Sequence, residues 1–508
     1  MEKFLSNPLL GDAKLEKSMR KNYISGFVSS IFILIASFIV GWIPPQGMWG
    51  SQLLLDLRLN YPIITIALAM IVVGTVGLMR AWLYVAHDLR NWGPGSLAAV
   101  KKGIYIWALP LVFTFPMFSR DMYAYIAQGR LAQSGLNPYS TGASSIPGWL
   151  YIGADPTWSE SRTPYGPLWI FMAEIIVRIT GERPEIAIPL LRILAVAGVV
   201  MIVHFLPKAA ELNGHRPAKA LWFAAMSPLF LLQFIVSGHN DSLMMGFLIA
   251  GVYFMLIDKP VKGLLLLALS ISVKPITIIA IPFFGLIWAK GHVGWLERIK
   301  YWTMSLIISM APVALLGAVL GWGMGWLSAF STPGQSQNWY APVVIIGAVL
   351  SVLFGGDIQT SIDIVKNIVL LIGLVICAYL VLGAHHIKVL RKMLYVFAVV
   401  VLISTVVYPW YALWVLILWG MTGVRNKRRM QTFILIVGFF LTYALLDTFD
   451  ISVLIQGRAI LQVIMFGMTI AGLGYFMYFD STSKMFFQRG GYQYETQPGT
   501  IAGLRKIN

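Results

Sequence analysis

The sequence predicts an all-α, polytopic membrane protein, a bundle of about 14 membrane segments joined by mostly short loops. Hydrophobic residues make up 58% of the 508 positions and charged residues only 12%, about half the charge density of a soluble domain. Apolar runs long enough for membrane helices recur along the chain. Lys and Arg cluster between those runs, as they do in cytoplasmic loops of membrane proteins.

The clear candidate spans are apolar runs close to the roughly 20 residues that a crossing helix needs. The run that begins at Tyr23 follows a charged segment and has no small-residue cleavage site after it. It is therefore predicted to be a retained span rather than a signal peptide. Shorter apolar pieces are Gly263–Val273, Ile276–Ala289 and Ala412–Met421. The longer candidates are Tyr23–Ile43, Pro62–Val85, Gly103–Phe118, Ala187–Phe205, Ala218–Ile235, Ser242–Ile257, Tyr301–Leu320, Ile364–Leu382, Met393–Val407, Thr432–Leu446 and Ala459–Tyr478.

The basic residues predict which loops face the cytoplasm. One topology, with both termini inside, places the basic clusters on one face. It divides the chain into a cytoplasmic N-terminal tail (1–22), a transmembrane domain (23–480) with an outer loop at 119–186, and a cytoplasmic C-terminal tail (481–508). The topology requires Pro167–Thr180 and Pro342–Leu353 to lie in the outer interface, and whether they cross stays open. Most of the 38 Lys and Arg residues fall in 1–22, 80–102, 208–219, 259–262, 290–300, 388–392, 425–429 and 481–508.

Composition argues against nucleic-acid binding and against cysteine-based structural or metal sites. The net charge of +17 does not indicate nucleic-acid binding, because the cations sit in short clusters between apolar runs without interleaved aromatics. The single cysteine, Cys377, excludes a disulfide framework and a thiolate metal cluster.

The first polar cluster is Ser119-Arg120-Asp121, directly after the third predicted span. In a helix, Asp121, Tyr125 and Gln128 would share one face. An aspartate at the outer membrane surface is suited to act as a general base for an acceptor hydroxyl. The alternative is that Ser119 caps the helix and Asp121 complements its dipole.

The second cluster, residues 135–167, is rich in turn-forming residues. An ordered loop would explain this composition by itself, although the aromatic and amide side chains also suit a sugar-binding cleft. The third cluster, Ser237–Ser242, lies between two apolar runs. There Asn240 or Asp241 is a candidate helix cap, and His-Asn-Asp offers too few ligands for a metal site.

The fourth cluster is Lys274-Pro275, flanked on each side by apolar runs of about a dozen residues. Two short helices meeting here would form a hairpin tip. Its lysine would either snorkel to the surface or hold a lipid phosphate and stabilise it as a leaving group. Residues Tyr408–Tyr411 form a similar tip, for which an interfacial aromatic belt is the alternative.

These motifs together resemble the GT-C superfamily of polyprenyl-phosphate-sugar-dependent glycosyltransferases. More closely, the chain resembles the bacterial polyprenol-phosphate-mannose-dependent alpha-1,6-mannosyltransferases that build lipomannan backbones. The motifs run in family order and are Asp121-Met-Tyr-Ala-Tyr125-Ile-Ala-Gln128-Gly129-Arg130-Leu131, Gly135-Leu-Asn137-Pro138-Tyr139, Thr163-Pro-Tyr165-Gly166-Pro167-Leu168, Gly238-His239-Asn240-Asp241, Lys274-Pro275 and Tyr408-Pro409-Trp410-Tyr411.

The resemblance implies a GT-C-like fold and transfer of mannose, with inversion, from a mannosyl phosphoryl polyprenol to a glycan or glycolipid on the extracytoplasmic face of the cell membrane. It implies no cofactor and no metal. Asp121 would be the catalytic base, with Asp155 and Glu160 as rivals. Lys274, Arg130 and Arg162 would bind the donor phosphate, with His239 as a further candidate. The implied substrate-binding residues are Arg120, Tyr125, Gln128, Asn137, Tyr139, Tyr165, His239, Asn240, Asp241, Tyr408, Trp410 and Tyr411.

Two other functions stay open at this point. A transporter or flippase for a lipid-linked sugar would need polar residues that open to both sides of the membrane, whereas most polar clusters here fall on the outer side. A non-catalytic scaffold would not need Asp121, the His-Asn-Asp run and Lys274 on one face. The expected absence of a large C-terminal extramembrane domain would leave acceptor recognition to the outer loops. The sequence leaves the acceptor, the linkage, the polyprenyl chain length and the oligomeric state undetermined.

Overall fold

The computed structural model describes residues 8–43, 50–89, 92–93, 95–290, 294–330, 336–383, 388–424, 426–446 and 458–487. Over these ranges the chain is helical, with no β-strand, which confirms the predicted all-α class. Arg425 and the part of the predicted C-terminal tail after residue 487 lie outside the described residues. The first helix begins at Pro8, so helical structure extends into the predicted N-terminal tail.

The chain divides into two compact units. The first comprises residues 1–122, 206–239 and 423–508, and the second comprises residues 123–205 and 240–422. Each of the other helices lies wholly within one of the two units. The helices Asp121–Gln133 (α5) and Pro184–Leu212 (α7) have residues in both.

The first unit is built on two long helices, α1 (Pro8–Val40) and α3 (Tyr61–Asp88), which pack along each other. Its indole core is formed by Trp82 and Trp222, whose rings stack at 5.1 Å. Each indole N–H donates to the backbone carbonyl of the other residue, at 2.9 and 2.8 Å. The other helices of this unit are α2 (Gln52–Leu59), α4 (Ser96–Leu111), α8 (Pro217–Ala224), α9 (Pro228–Leu231), α18 (Lys427–Leu446) and α19 (Arg458–Tyr478).

The second unit is a series of helices that pack mainly on their neighbours in the chain. Proline is often the first helical residue, where its missing N–H costs nothing. Besides most of α5 and α7, the unit contains α6 (Pro167–Thr180), α10 (Asp241–Leu256), α11 (Pro260–Val273), α12 (Ile281–Trp288), α13 (Trp295–Val319), α14 (Pro342–Phe354), α15 (Ile358–Leu382), α16 (Val389–Leu402) and α17 (Pro409–Thr422).

Helices long and apolar enough to cross a membrane are found where several spans were predicted. Among the described residues there are five, or six if one bent pair forms a single span. The chain is therefore a membrane protein, while the predicted total of about 14 segments stays a prediction. The five are Met19–Val40, Tyr61–Asp88, Pro184–Leu212, Trp295–Val319 and Ile358–Leu382.

Three predicted spans differ from the observed helices. The candidate span Ala218–Ile235 is not one continuous helix, because two helical pieces meet there at 61°, and whether they form a single span stays a prediction. Ser227 accepts the N–H of Phe230 and starts a new helix at Pro228, which breaks the run. The helix predicted over Gly103–Phe118 ends at Leu111, just after Pro110. The one predicted over Met393–Val407 ends at Leu402.

Candidate active site

Asp121 is the first residue of α5. Its backbone N–H donates to the Ser119 hydroxyl at 3.0 Å, a local turn contact just before the helix, and Ser119 lies one residue before the N-cap position. The Asp121 carboxylate also contacts a histidine, with His239 Nδ1 at 3.1 Å from Asp121 Oδ2. The imidazole is fully buried and the carboxylate is 20% exposed. One oxygen of Asp121 is thus held in place while the side chain stays accessible.

The loop that carries His239 is fixed by close packing within the first unit. The Ser237 hydroxyl donates to the carbonyl of Met117 at 2.9 Å. Gly238 adopts a φ of +66°, and a β-carbon there would lie 1.7 Å from the terminal methyl of Met122. The positive φ favours glycine here, and the Ser-Gly-His motif sets the backbone approach that brings His239 to Asp121.

Arg120 lies beside an aromatic ring that no motif marks. Its guanidinium carbon is 3.5 Å from the centroid of the Trp42 ring, a cation–π contact. Arg120 is predicted to bind substrate, and this stacking fixes the direction of its side chain.

Lys274 lies at the break after α11 and forms a buried ion pair. Its ammonium is 3.0 and 2.9 Å from the two carboxylate oxygens of Asp241. The indole N–H of Trp414 donates to the same carboxylate at 2.7 Å. The rings of Tyr165, Tyr411 and Trp414 lie 5.8, 5.2 and 5.5 Å from the ammonium. The second unit thus encloses a lysine cation with one carboxylate and three aromatic rings.

This pairing changes how the third and fourth polar clusters are understood. Lys274 is predicted from sequence as a cation that seeks an anion from outside the protein, whereas the structure gives it Asp241. The helix-cap alternative for Asn240 is not supported, because Asn240 precedes α10 without a side-chain capping bond. Asp241 binds Lys274 and Trp414 instead.

Tyr125 and Asn240 also meet in the second unit. The Asn240 backbone N–H donates to the Tyr125 hydroxyl at 3.1 Å, and the Tyr125 ring packs edge-on against Tyr165 and Trp169. Asn240 is fully buried, and its carboxamide makes no hydrogen bond with any described residue. Such a group is suited to bind a polar ligand.

Residues of the outer loop largely bind one another. Asn137 Oδ1 accepts the backbone N–H of Tyr139 at 3.0 Å, and the Tyr139 hydroxyl donates to the carbonyl of Tyr165 at 3.1 Å. Burial raises the pKa of Tyr139. Gln128 accepts a hydrogen bond from the Thr163 hydroxyl at 2.9 Å. The ordered-loop interpretation therefore holds for these side chains, whether or not they also bind substrate.

The other predicted phosphate-binding residues have different environments. Arg130 forms an ion pair with Glu182 at 2.7 Å and donates to the carbonyl of Pro147, whereas Arg162 is exposed. The rival base Asp155 accepts the backbone N–H of Thr157 at 2.9 Å.

The remaining predicted residues are aromatic or acidic. The rings of Tyr408 and Trp410 are stacked, with centroids 4.4 Å apart. Tyr411 belongs to the ring set around Lys274. The rival base Glu160 is exposed.

A pocket of about 340 Å³, open solvent space included, lies in the outer-loop part of the second unit. Its lining includes Gln128, Asp155, Trp158 and Thr163, and it contains no Lys or Arg. Its chemistry suits neutral hydroxyl groups better than a phosphate. Within the described ranges, no three His, Cys, Asp or Glu side chains come close enough to hold a metal ion.

Trp414 and Trp42 are missed by the sequence reasoning. Trp414 follows Tyr411 by three residues, so both lie on one face of α17. That spacing could have indicated Trp414 as a neighbour of Tyr411 at the site. Trp42 ends an apolar run, and nothing in its neighbourhood points to Arg120.

Comparison with known proteins assigns the family. Residues 23–290 match the family model described as alpha-(1->6)-mannopyranosyltransferase, N-terminal domain. The chain is 30% identical to alpha-(1->6)-mannopyranosyltransferase A of Mycobacterium tuberculosis, over 67% of this chain and 68% of that protein. It is 28% identical to the protein of the same name from Corynebacterium glutamicum, over 67% of this chain and 75% of that one. A probable alpha-(1->6)-mannopyranosyltransferase of Mycolicibacterium smegmatis is 29% identical over 85% and 84%. No solved structure matches the chain. The chain therefore belongs to the alpha-(1->6)-mannopyranosyltransferase family.

Proposed function

We propose that this protein transfers a mannosyl residue from a polyprenyl-phosphate donor to a glycan or glycolipid acceptor on the extracytoplasmic face of the cell membrane, forming an alpha-1,6 linkage with inversion. The family and the named activity of its relatives support mannosyl transfer. The observation that carries the assignment of the base is the Asp121–His239 contact, in which a buried imidazole orients an accessible carboxylate.

In the proposed reaction, Asp121 accepts the proton of the acceptor hydroxyl as that oxygen attacks the anomeric carbon of the donor. The bond from the anomeric carbon to the phosphate oxygen breaks, and polyprenyl phosphate leaves with the bonding electrons. A single displacement inverts the anomeric carbon, so an alpha product requires a beta-linked donor. The leaving group carries one phosphate, whose charge basic side chains can hold without a metal.

Lys274 is the first candidate for that phosphate, with Arg130 and Arg162 as further candidates. An ammonium group has three N–H donors, and two carboxylate oxygens of Asp241 face Lys274. The phosphate would then share Lys274 with Asp241, and its binding would be weaker than to an unpaired lysine. Arg130 is already paired with Glu182.

We further propose the GT-C fold, about 14 membrane segments and cytoplasmic tails at 1–22 and 481–508, with the loop 119–186 outside. The many apolar helices and the basic clusters between them support this topology. The helix α6 carries an i,i+4 ion pair between Glu174 and Arg178, which suits an interfacial position as well as a crossing.

The decisive experiment uses purified protein in liposomes with mannosyl phosphoryl polyprenol and a mannoside acceptor. Asp121→Asn preserves shape and should lower transfer by roughly 10²- to 10⁴-fold, the usual contribution of a general base. Asp155→Asn is the matched control and should retain transfer. Full transfer by Asp121→Asn would remove Asp121 from this role. Translocation of the donor without any glycosidic product would instead favour a flippase.

A further inference from the structure

Gln233 is a buried polar residue that the proposed mechanism does not use. It lies in a π-helical turn, Leu232–Val236, that follows α9. Turns of this kind are rare and are often found at functional sites. Gln233 is fully buried, and neither its carboxamide oxygen nor its nitrogen has a hydrogen-bond partner among the described residues.

A buried carboxamide without partners destabilises a folded protein, whereas an apolar side chain of similar size would not. Native proteins rarely keep such a group unless it serves a ligand, an ion or an ordered water. Because a carboxamide both donates and accepts, its natural ligand is a neutral hydroxyl rather than a phosphate, which prefers charged donors.

The backbone of Gln233 contacts the loop that carries His239, the histidine of the candidate active site in the first unit. Its carbonyl accepts the backbone N–H of His239 at 3.4 Å. The preceding residue, Leu232, accepts the Ser237 hydroxyl at 3.2 Å. The π-helical turn therefore holds the loop whose histidine contacts Asp121 at 3.1 Å.

We infer that the Gln233 carboxamide binds a hydroxyl group of the sugar that reacts at Asp121. This inference rests on the proposed transferase function and adds a substrate-binding residue to it. Gln233 takes no part in proton transfer. It distinguishes a sugar that carries the contacted hydroxyl from one that lacks it, because the deoxy sugar would leave the carboxamide without a partner.

The test compares Gln233→Met, which keeps the approximate volume and removes both hydrogen-bonding groups, with wild-type protein in liposomes. Thr75→Val is the matched control, because Thr75 is also buried in the first unit with a hydroxyl that has no partner among the described residues. Gln233→Met should unfold at the same temperature as wild type or higher. Its kcat/KM for transfer should fall by roughly 10- to 100-fold, whereas Thr75→Val should transfer at the wild-type rate.

Mannosides and mannosyl donors that each lack one hydroxyl identify the contact. For the deoxy substrate that lacks the contacted hydroxyl, wild type and Gln233→Met should have equal kcat/KM. For the other deoxy substrates, Gln233→Met should still have a lower kcat/KM than wild type. Wild-type transfer by Gln233→Met, together with an inactive Asp121→Asn, would overturn this inference and leave the proposed function intact. An equal loss with every deoxy substrate would also overturn it, since it would indicate a structural role. An inactive wild type would contradict the proposed function itself. If Gln233→Met does not fold, Gln233→Leu replaces it.

Discussion

The buried pair of Lys274 and Asp241 offers a quantitative test of the second unit. Lys274→Met removes the ammonium that lies 3.0 and 2.9 Å from the carboxylate oxygens. Asp241 is fully buried, so the carboxylate cannot recover its hydration. Breaking a buried pair by removing one partner costs about 3–5 kcal/mol. The hydrogen bond from Trp414 remains, but a single bond to a charged group contributes only about 1.5–3 kcal/mol.

A double variant separates the charge from the packing. Asp241→Asn combined with Lys274→Met removes both charges, and the asparagine oxygen keeps the acceptor for Trp414. Because replacing both members of a buried pair is often neutral, the double variant should recover most of the loss. The coupling energy between the two sites should exceed about 1 kcal/mol.

The assay is reversible unfolding in mixed detergent–lipid micelles, followed by tryptophan fluorescence. Lys290→Met is the control, because Lys290 and Asp258 form an exposed ion pair. Such pairs contribute about 0–1 kcal/mol to stability. The reasoning is refuted if Lys274→Met matches that control, or if the two single losses simply add. Transfer by the stable double variant then tests the phosphate role, since wild-type transfer without the Lys274 ammonium would remove Lys274 from that role.

Three further predictions concern other parts of the molecule. Trp222→Phe removes the indole N–H that binds the carbonyl of Trp82 at 2.8 Å and should cost about 1–3 kcal/mol, because that carbonyl loses a buried donor. Gly166→Ala places a β-carbon 2.3 Å from the carbonyl oxygen of Ser272 and should cost about 1–3 kcal/mol by overpacking. Asp480 should make the stability of the folded protein depend on pH. Burial acts to raise its pKa, but hydrogen bonds from Ser483 and Tyr84, together with the charge of Arg80, outweigh it and hold the pKa below the ordinary value of 3.8. The stabilisation is therefore complete above that ordinary value and is lost as the pH falls through the lower folded-state pKa.

Each of these has its own control. Thermal unfolding of Trp222→Phe at the wild-type temperature would exclude a stabilising role for the indole hydrogen bond. Gly467→Ala should be neutral or stabilising, since a β-carbon there meets nothing within 4 Å and alanine favours a helix. An equally large loss in that variant would contradict the packing argument for Gly166. Lowering the pH from about 6 to about 3 should lower the unfolding temperature more for wild type than for Asp480→Asn. An equal fall in both proteins would reject the role of Asp480.

Motif order along the chain was a good guide to the family but a weaker guide to contacts. The resemblance based on Asp121, the Gly-His-Asn-Asp run and Lys274-Pro275 agrees with the family match over residues 23–290. The break at Lys274 between two short apolar pieces was also predicted from local patterns, whereas a helix at Asp121 was considered only as a condition for its side chains to share a face. The pairing of Lys274 with Asp241 was not predicted, because the two are separated by 33 positions and no local periodicity links them.

The sequence by itself determined that this is an all-helical membrane protein and where many of its helices begin and end. Apolar composition selects the bilayer as solvent, and proline and capping residues act on their immediate neighbours. Only the tertiary structure decided that His239 holds Asp121, that Trp414 and Asp241 enclose Lys274, and that the run near Ala224 bends. These features depend on side chains brought together from distant positions, where the desolvation of each charge has to be offset by a partner that local sequence does not name.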